Sequence, residues 1–250
     1  MNSQAPFPAL LQAFFMDRLI RQRQASPETV ASYRDTFRLL FNYVQNNLNK
    51  APSELGMEDL DASVIVAFLC WLEDKRKNTI RTRNARLAAI HSFFKYAALH
   101  DPAHSGVIQR VLAIPGKRGD KASVQYLTHS EIDALLAAPD QTTWGGRRDR
   151  TLLLLAVETG LRVSEVISLD CQDVVLASGA HVHCTGKGRK ERCTPLRKDT
   201  AGALNLWLDE RAGSPLDPLF PNAHGNRLSR DGVEYLLRKH IATALKDVRP

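Results

Sequence analysis

Two clusters of positively charged residues carry the side chains best suited to bind a polyanion. The first runs from Lys75 to Arg86 with no acidic residue between them. Its spacing favours a helix laid against duplex DNA, on which cations contact phosphates and Asn84 or an arginine reaches a base edge. An ordinary solvated helix face explains the same charges, and that alternative stays open. The candidate residues are Lys75, Arg76, Lys77, Arg81, Arg83, Asn84 and Arg86.

The second cluster lies between two short segments, Ala180–Cys184 and Arg192–Leu196. The first alternates apolar and polar residues, and the second has the composition of a return strand, so together they predict a β-hairpin with a charged tip. Glycines on both sides of Lys187 let the backbone come close to a ligand. A solvated turn is again the alternative. The cations of the tip are Lys187, Arg189, Lys190 and Arg192.

Composition limits the possible functions. The 250 residues include 34 Lys and Arg against 27 Asp and Glu, a net charge of +7. This excess alone does not prove a polyanion partner, because phosphate binding depends on how the cations cluster. No apolar run has the length of a membrane span, so we expect a cytoplasmic protein. The scattered cysteines lack the ligand clustering of a zinc site, so no metal is expected.

The first part of the chain, residues 1–114, predicts a compact four-helix domain. Ser26-Pro27-Glu28 is typical of a helix start, because serine can cap, proline suits the first position and the acid suits the positive end. Apolar residues at helical spacing also occur from Ala9 to Gln24, follow Ser26, and recur after Asp61 and after Thr79.

A second domain is predicted at residues 125–250. Residues 115–124 are rich in glycine, proline and cations and indicate a linker. Thr128 and Glu131 then have the spacing of a capping box. A very apolar helix follows, with Gly160 as its left-handed cap, and the period changes to that of strands near residue 180.

These segments resemble one known family. Glu158–Leu169 closely resembles the first active-site box of the tyrosine recombinases, or phage-type integrases, and Thr185–Arg192 resembles their β-hairpin. Arg81–Leu87 resembles their core-binding domain. The box and the hairpin together are specific, whereas either alone is a weak signal. The resemblance spans nearly the whole chain and implies a mainly α protein of two domains. One is a SAM-like four-helix core-binding domain, and the other is a mixed α+β catalytic domain with a small antiparallel sheet.

The resemblance also implies a mechanism. Arg162 would hold the scissile phosphate, since a guanidinium stays charged and presents a planar donor fork. Lys187 would protonate the leaving 5′ oxygen, and Glu165 would orient neighbouring groups, although a plain first-turn acid explains Glu165 as well. In the family a tyrosine forms a 3′-phosphotyrosine link, so neither metal nor cofactor is expected. The implied partner is double-stranded DNA held between two lobes, on which family members assemble as tetramers. A nucleoid-associated location follows.

The same resemblance predicts a C-terminal truncation. The family needs a His-x-x-Arg box and an attacking tyrosine after the last helix, where this chain stops. His224-Gly225-Asn226-Arg227 precedes that helix and is rejected, and Tyr235 lies on an apolar helical stripe. We therefore expect little cleavage by this chain alone, and tetramer assembly is in question. The alternative to a site-specific recombinase is a non-catalytic DNA-binding regulator or dominant-negative fragment that occupies a recombination site.

Overall fold

The computed structural model describes residues 6–119, 126–186, 188 and 190–248. The chain divides into two compact units, Met1–Ser123 and Val124–Pro250, each with its own buried apolar core. No helix among the described residues is long and apolar enough to cross a membrane. The finer domain bounds given above stay a prediction, and residues 120–124 of the expected linker lie outside the described part.

Helices begin in the first unit where polar side chains can cap them. The hydroxyl of Ser26 accepts a hydrogen bond from the backbone N–H of Thr29 at 3.3 Å, and Asp61 does the same for Val64 at 3.0 Å. Such caps satisfy N–H groups that have no partner inside the helix. The helices are α1 (Phe7–Ala13), which continues as a π-helix (Phe14–Gln22), α2 (Pro27–Leu48), α3 (Ala62–Asp74), α4 (Ile80–His100) and α5 (Ser105–Leu112).

Aromatic rings fill the core of this unit. Phe14 and Phe93 are fully buried and meet edge to face with centroids 5.6 Å apart. The short helix α5 was not predicted from the sequence. It packs against α4 through Ile108 and Val111, both fully buried, and the ring of His91 lies 3.0 Å from the carbonyl of Val111.

The second unit mixes helices with one small antiparallel sheet. The predicted capping box forms, because Thr128 Oγ1 accepts from the Glu131 N–H at 3.3 Å and Glu131 Oε2 accepts from the Thr128 N–H at 2.7 Å. The sheet has the order β1-β2-β3, with His183 opposite Cys193. The elements are α6 (His129–Ala137), α7 (Trp144–Thr159), α8 (Val163–Ser168), β1 (Val174–Val175), β2 (His181–Thr185), β3 (Glu191–Pro195), α9 (Lys198–Arg211) and α10 (Arg230–Val248).

The core of the second unit forms where α7 packs on α9. Leu155 is fully buried, and Trp207 is 2% exposed with its indole N–H donating to the carbonyl of Leu219 at 2.9 Å. The very apolar helix that the sequence predicts before Gly160 is not buried on every side, because Val157 is 42% exposed.

Candidate active site

Arg162 stands at the entrance of the short helix α8. Gly160 ends α7 in the left-handed conformation, with φ of +61°, which glycine adopts without steric cost. The chain then turns, and Arg162 has extended backbone immediately before α8. Its side chain is 62% exposed, so one side of the guanidinium is open to a ligand.

Glu165 fixes Arg162 from the opposite side. Its carboxylate is 4% exposed. Oε2 accepts from the backbone N–H of Arg162 at 2.8 Å, and Oε1 accepts from Nη1 of the same residue at 2.9 Å. A guanidinium held in this way loses little rotational freedom when it binds an anion, because its orientation is already set.

The carboxyl of Glu165 is held in its ionised form. The hydrogen bond from the Arg162 backbone N–H lowers its pKa below the ordinary value, while burial opposes this. The side-chain bond from Arg162 and the positive charges of Arg192 and Arg162 lower the pKa further. A buried carboxylate of this kind is a permanent acceptor at neutral pH.

The β-hairpin meets the same carboxylate. Nη2 of Arg192 donates to Glu165 Oε2 at 3.0 Å. Gly186 lies so close that a Cβ added to it would stand 3.0 Å from Glu165 Oε1, which is tighter than nine in ten real Cβ contacts. Lys187, the residue after Gly186, and Arg189 lie outside the described residues, so their predicted roles stay predictions. Lys190 is exposed at the end of the turn.

The sequence predicts that Arg192 contacts DNA and does not reveal its contact with Glu165. The two residues are 27 positions apart and on different kinds of element, and no local pattern reveals such a pair. Arg227 was rejected as an active-site arginine and received no role. It lies at the other end of α8, where Nη1 donates to the carbonyl of Ser168 at 2.8 Å and Nη2 pairs with Asp170.

The basic cluster of the first unit is divided between surface and interior. Lys75, Arg76, Lys77 and Arg81 are exposed. The expectation that Arg83 faces outward is wrong, because Arg83 is 5% exposed and donates to the carbonyl of Pro115 at 3.1 Å.

Asn84 and Arg86 also make internal contacts. Asn84 Nδ2 donates to the carbonyl of Lys117 at 2.8 Å, and Asn84 Oδ1 accepts from the Lys117 N–H at 3.0 Å. Arg86 pairs with Asp35 at 2.8 Å and is 17% exposed. The exposed part of the predicted DNA-binding cluster is therefore smaller than the sequence predicts, and its exposed cations are Lys75, Arg76, Lys77 and Arg81.

Comparison with known proteins decides the family. An integrase/recombinase of Sinorhizobium fredii, y4rC, is 53% identical over 98% of this chain and 74% of the relative. The chain belongs to the phage integrase family. The family's own model matches residues 125–248, and the model of the phage integrase N-terminal SAM-like domain matches residues 13–100. These matches show that the chain is a site-specific recombinase of the tyrosine type, as the sequence predicts.

One more tyrosine recombinase is similar in sequence, and two solved structures are similar in fold. The tyrosine recombinase XerC of Herpetosiphon aurantiacus is 33% identical over 94% of this chain and 76% of the relative. A lambda integrase dimer bound to a COC′ core site has a similar fold, with a TM-score of 0.67 at 18% identity over 96% of this chain and 82% of that one. The Tn1549 transposon integrase in complex with circular intermediate DNA also has a similar fold, with a TM-score of 0.69 at 13% identity over 96% of this chain and 80% of that one.

Proposed function

We propose that this recombinase binds duplex DNA and that Arg162 holds the phosphate at which the strand is exchanged. The observation that carries the proposal is the exposed guanidinium of Arg162, which is held by a hydrogen bond from Nη1 to the buried carboxylate of Glu165. Such a donor stabilises the charge that builds up on phosphorus as the bond to the leaving oxygen breaks. The solved integrases with this fold are bound to DNA, which supports the same partner here.

Lys187 is the candidate general acid. It follows Gly186, which lies close to the Glu165 carboxylate that holds Arg162. Its amine would give a proton to the 5′ oxygen as that oxygen leaves. In the same step a tyrosine, a role to which no residue of this chain is assigned, would lose its phenolic proton and form the new bond to phosphorus. Glu165 orients Arg162 and does not itself meet the DNA. This chemistry needs no metal or cofactor, since the phosphodiester bond energy is kept in the covalent link.

The exposed cations of residues 75–81 and the exposed Lys190 supply contacts to other phosphates in this proposal. Assembly as a tetramer, as in the lambda integrase tetramer on a Holliday junction, belongs to the proposal as well. A non-catalytic DNA-binding regulator is not favoured, because the relatives are named as integrases and recombinases.

The experiment replaces single DNA phosphates by uncharged methylphosphonates. Duplexes that the chain enriches from a random library are resynthesised with one neutral position at a time, and each is measured by gel shift. We expect one position whose neutralisation weakens binding of the wild type but not of Arg162→Ala. Arg238→Ala, an exposed arginine of the same unit paired with Glu234, should keep the wild-type profile. Two results would overturn the proposal: no enriched sequence, or a profile that is the same with and without Arg162.

A further inference from the structure

Two arginines from different elements share one buried carboxylate. Glu165 lies on α8, Arg162 precedes α8, and Arg192 lies on β3 of the hairpin. Oε1 faces Arg162 Nη1 at 2.9 Å, and Oε2 faces Arg192 Nη2 at 3.0 Å. The three groups together carry one net positive charge.

The shared charge matters to any anion that reaches Arg162. A lone Arg162–Glu165 pair would be neutral, and its guanidinium would attract a phosphate less strongly. A second guanidinium on the same carboxylate takes up part of the negative charge. More of the positive charge of Arg162 then remains for the ligand on its exposed side.

The same contacts also hold the base of the hairpin next to α8. Arg192 is part of the strand that returns from the turn, and the N–H of Gly186 donates to the carbonyl of Lys190 across the base of that turn at 2.8 Å. Because Gly186 also rests on Glu165, the hairpin base and α8 meet around a single side chain. A larger residue at this position would require the Glu165 carboxylate to move by a few tenths of an ångström.

We propose that Arg192 is a positioning residue for the recombination reaction: through Glu165 it holds the hairpin base against α8 and leaves Arg162 with an unneutralised charge for the phosphate. This rests on the proposed function of Arg162. It differs from the sequence-based assignment, in which Arg192 contacts DNA directly. The two assignments predict different results when Glu165 is also changed, because a residue that acts through Glu165 has no effect once the carboxylate is gone.

The test is a double-mutant cycle on the 250-residue chain with inorganic phosphate as the probe. The side-chain ¹⁵Nε–¹Hε signal of Arg162 is followed by NMR during phosphate titration in the wild type, Arg192→Gln, Glu165→Gln and the double variant. We expect Arg192→Gln to weaken phosphate binding by about threefold or more in the wild-type background, and to have little effect in the Glu165→Gln background. Arg192→Lys, which keeps the charge, should restore part of the affinity.

Folding is checked by the amide signals of the β2–β3 pairs, which should persist in every variant. If Arg192→Gln loses those signals, the Arg192→Lys variant decides the question. Phosphate affinity equal to that of the wild type, together with disturbed β2–β3 amide signals in Arg192→Lys, would refute the coupling. An equal loss with and without Glu165 would show that Arg192 meets phosphate directly, which refutes this inference but not the role of Arg162. No response of the Arg162 signal to phosphate would refute both.

Discussion

At the scale of single residues, the site depends on how a buried acid is used. Burial of an unpaired carboxylate is costly, and Glu165 avoids that cost by accepting from one backbone N–H and two guanidiniums. The buried carboxylate needs these donors whatever the function of the site. Because Arg162 is one of them, its guanidinium is held in one orientation, and its exposed side can still bind an anion.

The low pKa of Glu165 predicts how stability depends on pH. A carboxyl whose pKa is lowered on folding contributes stability above its ordinary value of 4.5, and this contribution is lost as the pH falls through the lowered pKa. Glu165→Gln removes the titrating group and should cost about 2 kcal/mol near neutral pH, as expected for hydrogen bonds to a charged group. The measurement is thermal unfolding of both proteins from neutral to acid pH, in which their difference should shrink below pH 4.5.

The matched control is Glu234→Gln. Glu234 pairs with Arg238 on the surface, with 59% and 78% of the two side chains exposed, and exposed pairs contribute little. Its difference from the wild type should be small at every pH. A Glu165→Gln difference that does not change with pH would contradict the assigned charge state.

At the scale of elements, helix α4 holds the segment that leaves the first unit. Arg83 binds the carbonyl of Pro115, and Asn84 binds both the N–H and the carbonyl of Lys117. Lys117 in turn pairs with Glu73 of α3 at 2.8 Å. Arg83 and Asn84, which the sequence predicts as DNA contacts, thus attach residues 115–117 to α4.

We expect Asn84→Ala to loosen this attachment. It removes both hydrogen bonds between Asn84 and Lys117, of which each contributes about 1 kcal/mol, so local opening of residues 115–118 should increase about fivefold or more. Limited trypsin digestion with mass spectrometry checks this, because Lys117 and Arg118 are cleavage sites within the segment. The control is Asn47→Ala, which removes one exposed hydrogen bond from the Asn47 side-chain amide to the carbonyl of Tyr43 at 2.7 Å. It should leave the rate of cleavage at Lys117 and Arg118 unchanged. Equal rates in all three proteins would contradict the attachment.

The elements themselves could be predicted because their signals are local. The caps at Ser26, Asp61 and Thr128 and the left-handed Gly160 each depend on neighbours within a few residues. The positions of Arg83 and Arg192 could not be predicted, since their partners are 32 and 27 residues away. A basic helix looks the same in sequence whether its arginines face solvent or bind a distant carbonyl.

At the scale of the whole molecule, the net charge of +7 is less informative than where unneutralised cations lie. Arg21, Arg38 and Lys50 are exposed, but each already pairs with an aspartate on the same unit. Lys75, Lys77 and Arg81 are exposed in a stretch without acids. Equal numbers of charges at the two places should therefore contribute unequally to DNA binding.

We predict that changing Lys75, Lys77 and Arg81 together to glutamine weakens DNA binding and flattens its salt dependence. Each phosphate contact that is lost should reduce the slope of log K against log salt concentration by about 0.9, because fewer counterions are released. The control changes Arg21, Arg38 and Lys50 to glutamine, an equal loss of three charges at cations that aspartates already neutralise. Gel shifts over a range of salt concentrations separate the two. If both triple variants reduce the slope equally, binding responds to total charge alone, and residues 75–81 have no special place on the DNA.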